Sequence, residues 1–267
     1  MLLSRLAFVV ALILVALPLR AGGGLPADLV EAKVLPGWQT ERGTRMTALR
    51  LRLAPGWKTY WRSPGDTGIP PAFDWTGSRN LDSVALHWPA PQVFDSYGLR
   101  TIGYAEELVL PMELTPARQG APIALAARLE LGLCETVCVP AELRFRALLE
   151  GPGRSDPDIH AALAAGPVPG AAAGLRDVAC RLEPIADGLR LVAQIDLPSL
   201  GGREIALVEA ADPGVWVSEP MAERDGRALR VTADLVPPPG EALALDRSAL
   251  RFTLLGPAQA VEVRGCR

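Results

Sequence analysis

Two cysteines four positions apart, Cys134 and Cys138, are the residues of this sequence whose type and spacing could do chemistry. They lie in the segment Leu-Gly-Leu-Cys-Glu-Thr-Val-Cys-Val-Pro, residues 131–140. A thiol pair can exchange electrons by opening and closing a disulfide, can form a local structural bridge, or can bind a soft ion such as Cu(I). The pair alone leaves these three chemistries open.

The residues around the cysteines predict a β-hairpin. A fully extended chain would separate the two residues by about 13 Å, whereas a disulfide needs Cα atoms roughly 4.4–6.8 Å apart. Apolar residues alternate before and after the pair, which is typical of two antiparallel strands, and residues 135–137 would form the turn. The alternating positions are Leu125, Ala127, Leu129, Leu131 and Leu133, then Ala141, Leu143, Phe145 and Ala147. Because a disulfide across so short a loop adds little stability, the geometry favours thiol-disulfide exchange over a structural bridge or a metal site.

The N-terminus predicts export. Residues 1–21 contain Arg5, an apolar run over residues 6–19 and a small residue, Ala21, at a plausible cleavage point, which is the pattern of a secretory signal peptide. Disulfides persist outside the cytosol, so four cysteines indicate two bridges. The spacing favours Cys134 with Cys138, and a structural disulfide between Cys180 and Cys266.

Composition excludes some classes of partner. The net charge is −3 and becomes more negative once the signal is removed, so nothing indicates nucleic acid or an anionic membrane surface. Many short strand-like segments with frequent Pro and Gly predict an all-β protein built from β-sandwiches. We expect a first sandwich over residues 22–150, a Gly/Pro/Ala-rich linker with a short helix over 151–174, and a second sandwich over 175–267.

Aromatic residues are concentrated in Pro55–Pro71, which contains Trp57, Tyr60 and Trp61. Such residues between Pro and Gly positions most often fill a core, and the alternative is that some cover the cysteine hairpin and control access to it. Residues 88–98, which include Tyr97, are predicted to form a loop with an aromatic edge.

Three segments together resemble the N-terminal periplasmic domain of the DsbD family of thiol:disulfide interchange proteins, in its Cys-x3-Cys branch. They are Pro55–Pro71, the Tyr-Gly and Gly-Tyr-Ala-Glu pieces of residues 97–106, and Cys-Glu-Thr-Val-Cys-Val-Pro at 134–140. The resemblance covers about residues 30–150 and implies an immunoglobulin-like fold, so that the chain would comprise two immunoglobulin-like β-sandwich domains. It implies that Cys134 and Cys138 are the redox pair, and that family members shield this pair with a cap. Tyr60, Trp61 and Tyr97 are the candidate cap or access residues.

The resemblance implies a periplasmic thiol-disulfide oxidoreductase that relays electrons and needs neither a cofactor nor a metal. The donor would be a thioredoxin-like or membrane-embedded protein supplied by a separate chain. Its clients would be periplasmic proteins that contain disulfides, such as disulfide isomerases or cytochrome c maturation proteins. The alternatives are a periplasmic Cu(I)-binding or copper-tolerance protein, with His87 or His160 as third ligand, and a structural adhesion or chaperone-like sandwich.

The sequence shows no obvious activation of the thiols. Glu135 lies between the cysteines, and the nearest basic residue along the chain is Arg144. Since a nearby cation lowers a thiol pKa, the sequence predicts a weakly activated pair whose exchange rate depends on docking.

Overall fold

The computed structural model describes residues 28–65, 68–96 and 98–267. The predicted signal peptide and the candidate access residue Tyr97 therefore lie outside the described residues. Within them the chain forms nineteen β-strands and one α-helix, which confirms the prediction of an all-β protein. The described part of the chain has no helix with the length and hydropathy of a membrane span.

The N-terminal half, residues 28–150, is built from two facing sheets. Its strands are β1 (Val30–Gln39), β2 (Arg45–Leu53), β3 (Lys58–Gly65), β4 (Ala72–Asp74), β5 (Ser83–Leu86), β6 (Gln92–Ser96), β7 (Leu99–Ala105), β8 (Glu107–Thr115), β9 (Ile123–Cys134) and β10 (Cys138–Leu149). One sheet has the order β1-β2-β8-β5, and the other has the order β10-β9-β3-β7-β6 with β4 paired to β9. Leucines from both sheets meet in one buried core.

Strand β9 shows why this sheet has one buried and one outer face. Its residues Ile123, Leu125, Leu129, Leu131 and Leu133 are buried, because alternate side chains of a strand point to the same side. The positions between them form the outer face of the sheet, and Cys134 ends that outer row. The alternation read from the sequence thus places the first cysteine outside the core.

Residues 88–98 differ from the sequence prediction. The predicted loop contains β6, which pairs with β7 in an antiparallel hairpin. Gly98 closes this hairpin with a φ of +80°, a backbone conformation that glycine adopts without steric cost. The sequence Gln-Val-Phe-Asp-Ser carries little strand signal. The strand is short and lies at the edge of its sheet, where its backbone hydrogen bonds are made with a single neighbouring strand.

Residues 151–174, which the sequence predicts to be a linker with a short helix, contain the helix α1 (Pro157–Ala164). Asp156 caps it by accepting from the backbone amides of Asp158 and Ile159, as expected for an N-cap aspartate followed by proline. Ile159 is fully buried against β1 and β2. Strand β11 (Val168–Pro169) then pairs with a strand of the C-terminal half, so this segment is anchored to both halves.

The C-terminal half, residues 175–267, also has two sheets around an apolar core. Its strands are β12 (Asp177–Pro184), β13 (Leu189–Asp196), β14 (Ile205–Glu209), β15 (Trp216–Val217), β16 (Met221–Asp225), β17 (Ala228–Val236), β18 (Arg251–Leu255) and β19 (Ala260–Arg264). The sheets have the orders β11-β19-β18-β14 and β12-β13-β17-β15, with β16 paired to β17. Leu207 and Leu255 join the core of the N-terminal half, so the two halves share an apolar contact.

Candidate functional site

The tip of the β9–β10 hairpin holds the two cysteines face to face. Cys134 and Cys138 are paired directly in the antiparallel register, their Cα atoms are 4.1 Å apart, and their sulfurs are bonded. The three residues between them are exposed, as is Cys138, whereas Cys134 is half-buried. The bond therefore lies at a protein edge where another thiolate can reach it, and Cys138 is the more exposed residue of the pair.

Tyr60 lies against this disulfide. It belongs to β3, is 4% exposed, and its hydroxyl oxygen is 3.0 Å from Cys138 Sγ. Because a disulfide sulfur carries no proton, the phenol donates this hydrogen bond. Burial raises the pKa of Tyr60, so the phenol keeps its proton at neutral pH and remains a donor when the disulfide is opened.

The position of Tyr60 depends on a glycine in the neighbouring strand. A Cβ atom at Gly132 would lie 2.7 Å from Tyr60 Cδ2 and Cε2 and 2.9 Å from Ile69 Cβ, closer than carbon atoms approach. The bare backbone at 132 lets the phenol ring pack across β9 toward the cysteines. Thr59 reinforces the same strand pair through a 3.0 Å hydrogen bond from its hydroxyl to the Gly132 carbonyl.

Trp61, a candidate access residue, lies elsewhere. Its side chain is 0% exposed and belongs to the core of the N-terminal half, because successive residues of β3 point to opposite faces. The structure thus separates the aromatic pair, with Tyr60 at the disulfide and Trp61 inside the sandwich. Tyr97, the third candidate, lies outside the described residues.

Sequence reasoning missed Lys58, which lies next to Cys134 in the sheet, and Phe94, which contacts this lysine. Lys58 is the direct partner of Cys134 in the β3–β9 register, and its Nζ lies 4.5 Å from the centroid of the Phe94 ring. Arg144, the nearest cation along the sequence, instead pairs with Glu142 at 2.8 Å. The signal that could have found Lys58 is its two-residue spacing from Tyr60, which puts both side chains on one face of a strand.

The same outer face of β3 contacts the C-terminal half through Arg62. Its guanidinium makes a bidentate ion pair with Glu209 at 2.9 and 3.0 Å and reaches Glu262 at 3.1 Å. Burial acts to raise the pKa of Glu262, but the hydrogen bond from Arg264 and the charges of the nearby arginines, including Arg62, outweigh it and lower this pKa below its usual value. This strand therefore carries the disulfide contact at one end and an interface between the halves at the other.

The second cysteine pair closes the C-terminal half. Cys180 of β12 is bonded to Cys266, with Cα atoms 5.6 Å apart and a separation of 86 positions in sequence. Backbone hydrogen bonds from Cys180 to Arg267 and from Arg267 to Val178 accompany the bond. The bridge thus joins the first strand of this half to its last residues within a paired backbone.

The histidines of the copper alternative lie in other settings. His87 Nε2 is 3.4 Å from Glu113 Oε2, and His160 stacks on Trp38 with ring centroids 4.5 Å apart. In residues 28–65, 68–96 and 98–267 no three His, Cys, Asp or Glu side chains are grouped in a way that could hold a metal ion.

The chain is similar to a known protein family and to solved structures. Residues 31–150 match the family described as thiol:disulfide interchange protein DsbD, N-terminal. The crystal structure of the N-terminal periplasmic domain of ScsB from Proteus mirabilis is similar with a TM-score of 0.65 and 27% sequence identity, covering 88% of this chain and 91% of that chain. No curated protein sequence matches the chain.

Proposed function

Because residues 31–150 form a domain of the DsbD N-terminal family, we propose that this protein is a periplasmic thiol:disulfide interchange protein that relays electrons through Cys134 and Cys138. It accepts them from a thioredoxin-like donor and passes them to exported client proteins. In this proposal the protein has two immunoglobulin-like β-sandwich domains, residues 22–150 and 175–267, which are joined by residues 151–174. A periplasmic location is supported by the similarity to a periplasmic domain of ScsB.

The observation that carries the proposal is the placement of the disulfide across the hairpin tip. A loop of this length removes little entropy from the unfolded chain, so the bond contributes less to stability than a bridge between distant residues. Exposure of Cys138 gives an attacking thiolate the access that thiol-disulfide exchange requires. A bond with little structural value and open access is suited to being broken and remade.

The greater exposure of Cys138 as a residue supports an order of events. A donor thiolate attacks Cys138 Sγ, a new sulfur–sulfur bond forms to the donor, and the Cys134–Cys138 bond breaks with its electron pair left on Cys134 as a thiolate. The second donor thiol, as thiolate, then attacks the donor sulfur of this mixed disulfide and releases Cys138. The donor leaves as a disulfide, and this protein holds two electrons and, after proton uptake, two thiols.

Tyr60 assists the second of these steps. Its hydroxyl already points at Cys138 Sγ, and hydrogen bonds to an ionised acceptor are stronger than those to a neutral one. The phenol therefore stabilises the Cys138 thiolate as it leaves. Reduction of a client disulfide runs the same exchange in the opposite direction.

Thiol trapping after mixing with a donor tests the proposal. Oxidised protein is incubated with a reduced thioredoxin-like domain, quenched in acid, alkylated and mapped by mass spectrometry. We expect labels on Cys134 and Cys138, with Cys180 and Cys266 still bonded. The matched control is the Cys134→Ser, Cys138→Ser double variant, which should leave the donor reduced. A wild-type protein that gains no label, or gains it equally at both pairs, would show that the hairpin disulfide is not a selective exchange site.

A further inference from the structure

The β3–β9 register places a lysine opposite one of the two exchanging cysteines. Lys58 and Cys134 are direct antiparallel partners, and directly opposed residues point to the same face with Cβ atoms about 4.5–5.5 Å apart. We propose that the Lys58 ammonium stabilises the Cys134 thiolate, so that Cys134 is the better leaving group when Cys138 is attacked. This inference rests on the proposed exchange function and assigns an electrostatic role within it.

In the oxidised protein the Lys58 ammonium contacts Phe94. The Lys58 Nζ atom lies 4.5 Å from the Phe94 ring centroid, within the range where the ring face attracts a cation. Phe94 belongs to β6, which lies beyond β7 on the side of β3 opposite to β9, and the long flexible lysine side chain can leave the ring and turn toward Cys134 when that sulfur becomes a thiolate. Among the described residues no carboxylate lies within 4.0 Å of Lys58 to form an ion pair, so its charge remains available to a thiolate.

Four other ionisable groups belong to the elements packed around Lys58 and the disulfide. Glu135, in the hairpin turn, extends its carboxylate over Gly56, where an added Cβ would be 3.0 Å from Oε1, and it opposes the effect of Lys58. Asp95 of β6 is paired with Arg100 at 3.2 Å. Glu106 follows the residue that faces Lys58 in β7 and is exposed to solvent. Tyr60 stays neutral because burial raises its pKa.

The chemistry of the step explains what the ammonium contributes. When the donor thiolate bonds to Cys138 Sγ, the electron pair of the broken bond moves to Cys134 Sγ, and no proton is needed at that moment. A thiol of lower pKa leaves faster, and a neighbouring cation lowers the thiol pKa. The cation therefore acts on the cysteine that departs rather than on the one that is attacked.

Single-thiol variants allow the effect to be measured without a redox partner. In Cys138→Ser the Cys134 thiol is free, and in Cys134→Ser the Cys138 thiol is free, while Cys180–Cys266 stays bonded in both. The pH dependence of iodoacetamide alkylation gives each thiol pKa. We expect Lys58→Met to raise the midpoint for Cys134 by about one pH unit, as for charges at short range near a protein surface, and to move that of Cys138 by less.

The chain provides a matched control because it has two lysines, Lys33 and Lys58. Lys33 lies on β1 opposite Arg50, so Lys33→Met removes the same charge elsewhere and should leave both midpoints unchanged. Lys58→Arg keeps the cation and the ring contact and should restore the Cys134 midpoint. Glu135→Gln should lower it, since it removes the opposing charge.

The outcomes separate this inference from the proposed function. An unchanged Cys134 midpoint in Lys58→Met, an equal shift of both cysteines, or no restoration by Lys58→Arg would overturn the role of Lys58, whatever the donor assay shows. Failure of wild-type protein to accept electrons from the donor would overturn the exchange function, even where the alkylation midpoints shift as expected. Thermal unfolding of each variant identifies a change in the fold, and Lys58→Arg keeps the test decisive if Lys58→Met unfolds.

Discussion

The hydrogen bond from Tyr60 to Cys138 predicts that removing the hydroxyl shifts the reduction potential of the disulfide, and that the size of this shift depends on pH. In Tyr60→Phe the ring remains over Gly132, but the donor that lies 3.0 Å from Cys138 Sγ is lost. In the oxidised protein this donor meets a neutral sulfur, and in the reduced protein above the thiol pKa it meets a thiolate. The substitution should therefore destabilise the reduced, ionised form more than the oxidised form.

The size of the effect follows from the difference between these two hydrogen bonds. A hydrogen bond to a charged group contributes about 1.5–3 kcal/mol, against about 0.5–1.5 kcal/mol for a neutral one. A difference of about 1.4 kcal/mol is about 30 mV for a two-electron couple and about one unit in the pKa of the thiol. We expect Tyr60→Phe to make the potential more negative by about 30 mV above the Cys138 pKa, and by much less well below it, where the thiol is protonated.

Equilibration with dithiothreitol or glutathione buffers across a range of pH, followed by thiol trapping, measures this potential. Tyr104→Phe is the matched control, because its buried hydroxyl donates to the Pro89 carbonyl at 2.7 Å and not to a sulfur. That variant should lose stability and keep the wild-type potential. A Tyr60→Phe shift that is absent, independent of pH, or reproduced by Tyr104→Phe would refute the assignment of the phenol as a thiolate donor.

Three further substitutions test the packing around the site. Gly132→Ala should lower the free energy of unfolding by about 1–3 kcal/mol, the usual cost of overpacking, and should weaken the Tyr60 contact, which urea unfolding and the redox titration would detect. In Arg62→Met two half-buried glutamates lose this partner, and the free energy of unfolding should fall by about 2 kcal/mol, which is less than the loss on breaking a fully buried pair. Unchanged urea unfolding would contradict this. Cys180→Ser with Cys266→Ser should cost about 4 kcal/mol through the long loop it reopens, while thiol trapping at the hairpin should proceed as in wild type.

Local pattern was enough to predict the hairpin that carries Cys134 and Cys138. Alternation in residues 123–133 and 139–149 determines which side chains face the core, and the residues between the cysteines are too few to do anything except turn. The direct pairing of Cys134 with Cys138 follows from those two facts. The strands of the C-terminal half were predictable for the same reason, since period-two patterns are local.

Elements that depend on distant residues were not predictable in this way. The sequence of β6 carries little strand signal, and the strand forms because β7 offers it a partner. Neighbouring aromatic residues, Tyr60 and Trp61, have opposite environments, and their sequence proximity predicted a shared role. Only knowledge that β3 is a strand, and which strands flank it, assigns one to the disulfide and the other to the core.

The amino-acid sequence by itself determined that two cysteines meet at a hairpin tip, because the alternation and the short turn are encoded within about 25 consecutive residues. The tertiary structure alone decided which groups surround the sulfurs. Lys58 is 76 positions from Cys134 in sequence, and the register of β3 with β9 makes the two residues direct partners. Electrostatics at a thiol depends on distance in space, and nothing in the local pattern records which strand will become the neighbour.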